Sequence, residues 1–275
     1  MLRRLGLCIA AGFLALAGTG CVDSVMTVVV NPDGSGEIIQ ETLMTPQAIA
    51  MMQGFGGGAE GGAAKDIYDE AQFKAMVPGL GKGVSFKSGK EVVKPNGAKG
   101  ARVVFAFEDV TQLNLSPDLG PSAGGEDKGG DKSDPITFSF KKGASPVLTV
   151  KMPPKPKGGD DAPAAADEAD APEDPQAEAM MAMMKPMMEG MRIRMLLKVN
   201  GEIKKTDASF VTEEDSDKVV TLIDMQIGKL ITDPAKFKAL TKAQNVKDPN
   251  KQLELLKKYP EIKLEVKDSI DIHFK

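Results

Sequence analysis

Three stretches of this chain hold too few apolar residues to pack, so whatever folds must be assembled from short blocks between them. Residues 54–64 read GFGGGAEGGAA, residues 117–135 read PDLGPSAGGEDKGGDKSDP, and residues 153–175 read PPKPKGGDDAPAAADEADAPEDP. Nothing in these compositions opposes the entropy of ordering a chain, and all three read as flexible loops or linkers. Their carboxylates read as solvated. GEDKGGDKSDP lacks the alternating oxygen ligands, the sixth-position Gly and the twelfth-position Glu of a calcium loop.

The blocks between them alternate at the period of strands. SVMTVVVNPDGSGEIIQETLMT (24–45) is β-branched in its first half, supplies turn residues in NPDGSG and alternates again, which predicts a hairpin. Thr45 can cap a helix that Pro46 opens. A second short helix is expected in AKDIYDEAQFKAMVPGLG (64–81), with Ile67, Ala71, Phe73 and Met76 near one face and a stop at Pro78 and Gly79. GVSFKSGKEVVK (83–94) and GARVVFAFEDVTQLNL (100–115) then read as paired strands, with Val103, Phe105 and Phe107 facing one way. PITFSFKKGASPVLTVKMP (135–153) repeats the pattern with Ile136, Phe138 and Phe140.

Beyond the acidic linker, Asp174 can cap and Pro175 can open a methionine-rich helix running to Gly190. Residues 191–231 follow as two or three strands with a turn at Gly201 and another at TEEDSDK. Two capped helices in 233–244 and 248–260 precede a closing strand pair or extended tail in 262–274. Helices and hairpins in separate blocks define an α+β fold: a meandering antiparallel sheet with several short helices and long flexible loops. Residues 21–152 and 176–275 build one domain, with 153–175 a disordered linker between them.

The chain opens with MLRRLGLCIAAGFLALAGTGC: two arginines, an apolar run from Leu5 to Ala17, and small residues before Cys21. That layout is a secretory signal over residues 1–20, too short for a membrane span. Gly18, Thr19, Gly20 and Cys21 resemble the lipobox of bacterial lipoproteins, with Gly18 where Leu is usual. The resemblance implies cleavage before Cys21, a diacylglycerol thioether on its sulfur and acylation of its new amine, the only prosthetic groups expected. Several acyl chains, at about 0.8 kcal/mol per buried CH₂, anchor stably. An Asp directly after the lipidated Cys holds enterobacterial lipoproteins at the inner membrane. Val22 stands there in this chain, which points to the periplasmic face of the outer membrane, with the outer leaflet of the inner membrane as the alternative. Only Val22, Asp23 and Ser24 separate the anchor from the first strand, a tether of roughly 10 Å.

Cys8 leaves with the signal and Cys21 takes the lipid, so the mature chain has no thiol for a disulfide, a Cys-ligated metal or a nucleophile. Without Arg3 and Arg4 the basic residues fall from 35 to 33 against 39 acidic ones, a net charge of −6. No basic stripe interleaves with aromatics, which argues against nucleic acid as a partner. There is no Trp, and Tyr68 and Tyr259 are the only tyrosines, which argues against a sugar-stacking platform. The one histidine, His273, sits in an expected exposed tail, the GxSxG and GxGxxG matches (GPSAG at 120–124 and GGGAEG at 56–61) fall inside the linker-like stretches, and Walker A and HExxH patterns are missing. These absences point to a non-enzyme.

Val28 to Glu37 around DGSG, Val199 to Lys204 around NGEI, and the strand Lys218 to Ile223 together resemble a loose group of bacterial lipoproteins that includes the mycobacterial LppM-like domain. The resemblance implies a small antiparallel sheet with helices, suited to holding a lipid.

MMAMMKPMM (180–188) concentrates six methionines in nine positions. Met180, Met183, Met184, Met187, Met188 and Met191 follow helical spacing and form one stripe if the segment is a helix; Pro186 kinks it. Three uses compete for that stripe. The first is ordinary core, because Met fills irregular gaps. The second is an adaptable surface for lipid or a protein partner. The third is Cu(I), because thioethers select soft metals.

Overall fold

The structure, a computed structural model, describes residues 22–55, 68–116, 134–154, 190–214, 217–244, 246 and 249–275. The expected signal peptide and most of the three linker-like stretches lie outside the described residues, as does the expected methionine-rich helix.

Twelve strands are described: β1 (Val22–Val30), β2 (Gly36–Met44), β3 (Val84–Val93), β4 (Lys99–Phe107), β5 (Thr137–Lys141), β6 (Val147–Lys151), β7 (Arg192–Val199), β8 (Ile203–Thr206), β9 (Val211–Glu214), β10 (Asp217–Met225), β11 (Ile262–Leu264) and β12 (Ser269–Phe274). The described α-helices are α1 (Pro46–Phe55), α2 (Glu70–Leu80), α3 (Ile227–Thr232), α4 (Pro234–Gln244) and α5 (Pro249–Leu256). The α+β class is as expected. Eight strands form a mixed sheet in the order β11-β10-β7-β1-β2-β4-β3, with β9 also on β10, and a second sheet runs β5-β6-β12-β8.

The three predicted hairpins form, because each is specified by its own turn and alternation. The sheet departs from an antiparallel meander at its centre, where β1 and β7 lie parallel from Asp23 opposite Arg192 to Val30 opposite Val199. Gly201 therefore does not close a hairpin. It lets the chain leave β7 for the other sheet, where β8 pairs β12. Residues 191–231 supply four strands rather than two or three, and their end, read as strand, is α3. The closing residues do not pair with each other: β11 joins β10 while β12 enters the second sheet between β6 and β8. His273 is thus a half-buried strand residue and not part of an exposed tail.

One face of each sheet contributes to a single core. Val28, Ile38, Val103, Phe105, Met195 and Leu197 from the large sheet join Phe138, Leu148, Ile270 and Phe274 from the small one. Helix α2 closes the β3 side, but through Phe73, Val77 and Leu80; Ala71 and Met76, expected on the packed face, are exposed. Asp69 caps α2 by accepting from the N–H groups of Ala71 (2.9 Å) and Gln72 (3.2 Å). Pro78 sits within the last turn, where the helix continues only to Leu80 and little is lost. The opposite face of the large sheet carries cross-strand ion pairs: Glu41 with Lys94 (3.1 Å) and Arg102 (3.2 Å), and Asp23 with Arg194 (3.2 Å).

Candidate functional site

Cys21, the expected lipid acceptor, lies outside the described residues, yet the next residue, Val22, is already the first residue of β1. The three-residue tether expected from the sequence is taken up into the strand. Because β1 lies between β7 and β2, the chain emerges at one end of the sheet and near its middle. That end is marked by register: Val22 opposes Met44, Met44 opposes Lys99, and Lys99 opposes Val93.

Of the methionine stripe, Met180, Met183, Met184, Met187 and Met188 lie outside the described residues. Met191 is described. It is half-buried just before β7, and its carbonyl accepts the N–H of Gly228 at 3.0 Å. Gly190, with φ of 79°, makes the turn into it, and only glycine takes that conformation cheaply. The structure therefore brings Met191 to the same end of the sheet as Val22.

A second feature was not foreseen from the sequence. The edge of β10 away from β7 is shared by two short strands in succession, β9 on Asp217–Val220 and β11 on Ile223–Met225. The register of β10 shifts between Thr221 and Ile223, where the partner changes. Beside this seam lies a cavity of about 440 Å³, half-open to solvent, walled by Phe210, Tyr259, Pro260, Ile262, Leu264 and Val266. Lys257 and Lys263 are its charged lining residues, with no carboxylate among the lining. Buried Glu265 pins the seam: its carboxylate accepts from the Ser209 N–H (2.7 Å) and hydroxyl (2.9 Å), and from the N–H groups of Val266 (3.0 Å) and Lys267 (3.2 Å). A buried carboxylate with this many donors is a structural staple.

Phe210 comes from one segment and Tyr259 and Leu264 from another. Their only sequence signal is aromatic and aliphatic residues next to turn residues, which is too common to single them out. Among the described residues no three His, Cys, Asp or Glu side chains gather as a metal cage. No described helix is long and apolar enough to cross a membrane.

No family model matches the sequence, and no curated protein matches it. Among solved structures, the chain is similar to the NMR structure of the folded domain of the Mycobacterium tuberculosis LppM protein. The identity is 10%, over 93% of this chain and 90% of that one, with a TM-score of 0.32. An overlap that loose leaves the functional reading to rest on the chain's own residues.

Proposed function

We propose that this chain is a lipid-anchored, non-catalytic envelope lipoprotein that binds a lipid or a protein partner. The carrying observation is the direct passage from the lipobox-like Cys21 into the central strand of the sheet. The anchor is the diacylglycerol and N-acyl lipid on Cys21, and the periplasmic face of the outer membrane is its place. The seam cavity is the candidate ligand site. Its size falls in the range of small-molecule pockets, its walls are apolar, and Lys257 and Lys263 favour an acyl chain with an anionic head. The methionine stripe is assigned to lipid or partner contact rather than to Cu(I). Soft copper sites usually recruit His or Cys as well, and the one histidine, His273, is held in β12.

Radiolabelled palmitate fed to cells tests the anchor: the label enters the wild-type chain and is absent from Cys21→Ala, which moves from the membrane to the soluble fraction. Equal labelling of both chains refutes it. For the cavity, mass spectrometry of extracts from purified wild type and Phe210→Glu compares bound lipid, and equal amounts would exclude the seam as its site.

A further inference from the structure

The end of the large sheet at which β1 begins has a composition suited to something beyond a tether. Across four adjacent strands it presents Val22, Met44, Lys99 and Val93 in register. At about 4.8 Å between strands, this row is roughly 14 Å long. Val93 is 61% exposed, the most exposed large hydrophobic residue among those described. The other two, Val211 and Met76, are 39% and 37% exposed and lie elsewhere. Val211 opposes Val220, which opposes Leu197, which opposes Val28, six positions along β1 from Val22.

Charge follows the same end. Lys99 is exposed and makes no ion pair among the described residues, while its neighbour Lys94 is held by Glu41 at 3.1 Å. On the other flank, the Gly228 N–H bond to Met191 brings the start of α3 to this end, and α3 carries the exposed Lys229. An apolar row that carries Lys99 within it and Lys229 on its flank is complementary to a bilayer surface, where acyl chains lie beneath anionic headgroups. The position of Cys21 supplies the occupant, since its acyl chains enter the bilayer one residue before Val22.

We propose that this end of the sheet seats directly on an anionic bilayer, with Val93 entering the headgroup layer and Lys99 and Lys229 contacting lipid phosphates. The inference rests on the lipid anchor for its orientation, but its test does not need the lipid. The full chain carrying Cys21→Ala is mixed with phosphatidylcholine vesicles containing or lacking phosphatidylglycerol, and bound protein is measured by co-sedimentation. Binding is expected to the phosphatidylglycerol vesicles, weakening as salt rises. Adding Val93→Ser with Lys99→Glu should weaken it about tenfold, since each lysine and each buried apolar side chain contributes a modest share. Val211→Ser should leave it unchanged.

Absence of binding to anionic vesicles overturns the proposal, as does equal binding by the Val93 and Lys99 variant. A chain that is dimeric in solution, and made monomeric by Val93→Ser, also overturns it in favour of a second copy as the occupant. Each variant's melting curve is read alongside; should Val93→Ser melt early, Lys99→Glu alone carries the comparison. A failed palmitate experiment with intact vesicle binding would remove the anchor and leave the surface standing.

Discussion

The two ends of the large sheet are closed by similar turns but packed in opposite ways. At the far end, the turn between β1 and β2 is held from every side. The Asn31 amide group donates to the Ser35 hydroxyl at 2.9 Å, Val110 N–H donates to the Gly34 carbonyl at 2.9 Å, and Asn200 N–H donates to the Val30 carbonyl at 2.8 Å. Asp33 accepts from the Ser35 hydroxyl and N–H, which holds its carboxyl below the usual range. Phe140 and Phe107 lie against the turn's glycines. At the Val22 end, the turn between β3 and β4 is closed by its own bonds, Lys94 N–H to the Ala98 carbonyl at 2.8 Å and Gly97 N–H to the Lys94 carbonyl at 2.9 Å, with Pro46 near Gly97, and Val93 stands in solvent beside it. One end is finished by contacts from other segments, and the other leaves Val93 to solvent.

Paired substitutions sharpen this contrast. Phe107→Ala at the far end removes a side chain that is 3% exposed and should cost about 3–5 kcal/mol in urea denaturation, whereas Val93→Ser should stay within about 0.5 kcal/mol. Comparable losses would mean that Val93 is packed after all. The turn glycines give a smaller contrast. Gly34 and Gly97 have φ of 90° and 81°, so alanine at either is strained by about 1–2 kcal/mol. Only at Gly34 does a Cβ also meet an aromatic ring, Phe140 at 2.8 Å, and Gly34→Ala should lower the melting temperature more than Gly97→Ala.

The smallest effect concerns acid. Burial pushes the Glu41 carboxyl upward, but hydrogen bonds from Lys94 and Arg102 outweigh it and hold the group below its ordinary value of 4.5. A depressed carboxyl stabilises the fold above the unfolded-state value and loses that contribution as pH falls through the folded one. Wild type should therefore lose roughly 0.5–1 kcal/mol relative to Glu41→Gln on acidification below about pH 4.5, a figure kept small because both cations are partly solvated. Parallel pH profiles for the two chains would show that the pairs contribute nothing.

The hairpins were legible because each is encoded within some twenty residues by a turn such as NPDGSG or PNGAKG flanked by alternation. What the sequence hid is non-local. Nothing around Arg192–Val199 says that its neighbour is β1, or that it runs parallel to it, since a strand buried in mid-sheet looks alike in either direction. The separation of β11 from β12 is hidden for the same reason. Phe73, Val77 and Leu80 could have been chosen as the face of α2 from their own spacing had Asp69 been taken as its cap. Of the candidate site, the expected lipid acceptor rests on one short motif, while the seam cavity depends on two strands sharing one edge of β10 and leaves no local mark.

The parallel pairing of β1 with β7 also sets a schedule. Arg194 bonds Asp23 across 171 positions, so a chain emerging N-terminus first presents β1, β2, β3 and β4 long before β7 exists to cover the free side of β1. During that interval Val25, Thr27 and Val29 lie along an open, β-branched edge of the kind that pairs with the wrong neighbour. Closure of so long a loop makes this step slow compared with the hairpins. During its biogenesis the molecule is therefore most vulnerable at the strand that ends up best protected, and a holding factor that masks an unpaired strand would act on β1 before any other element.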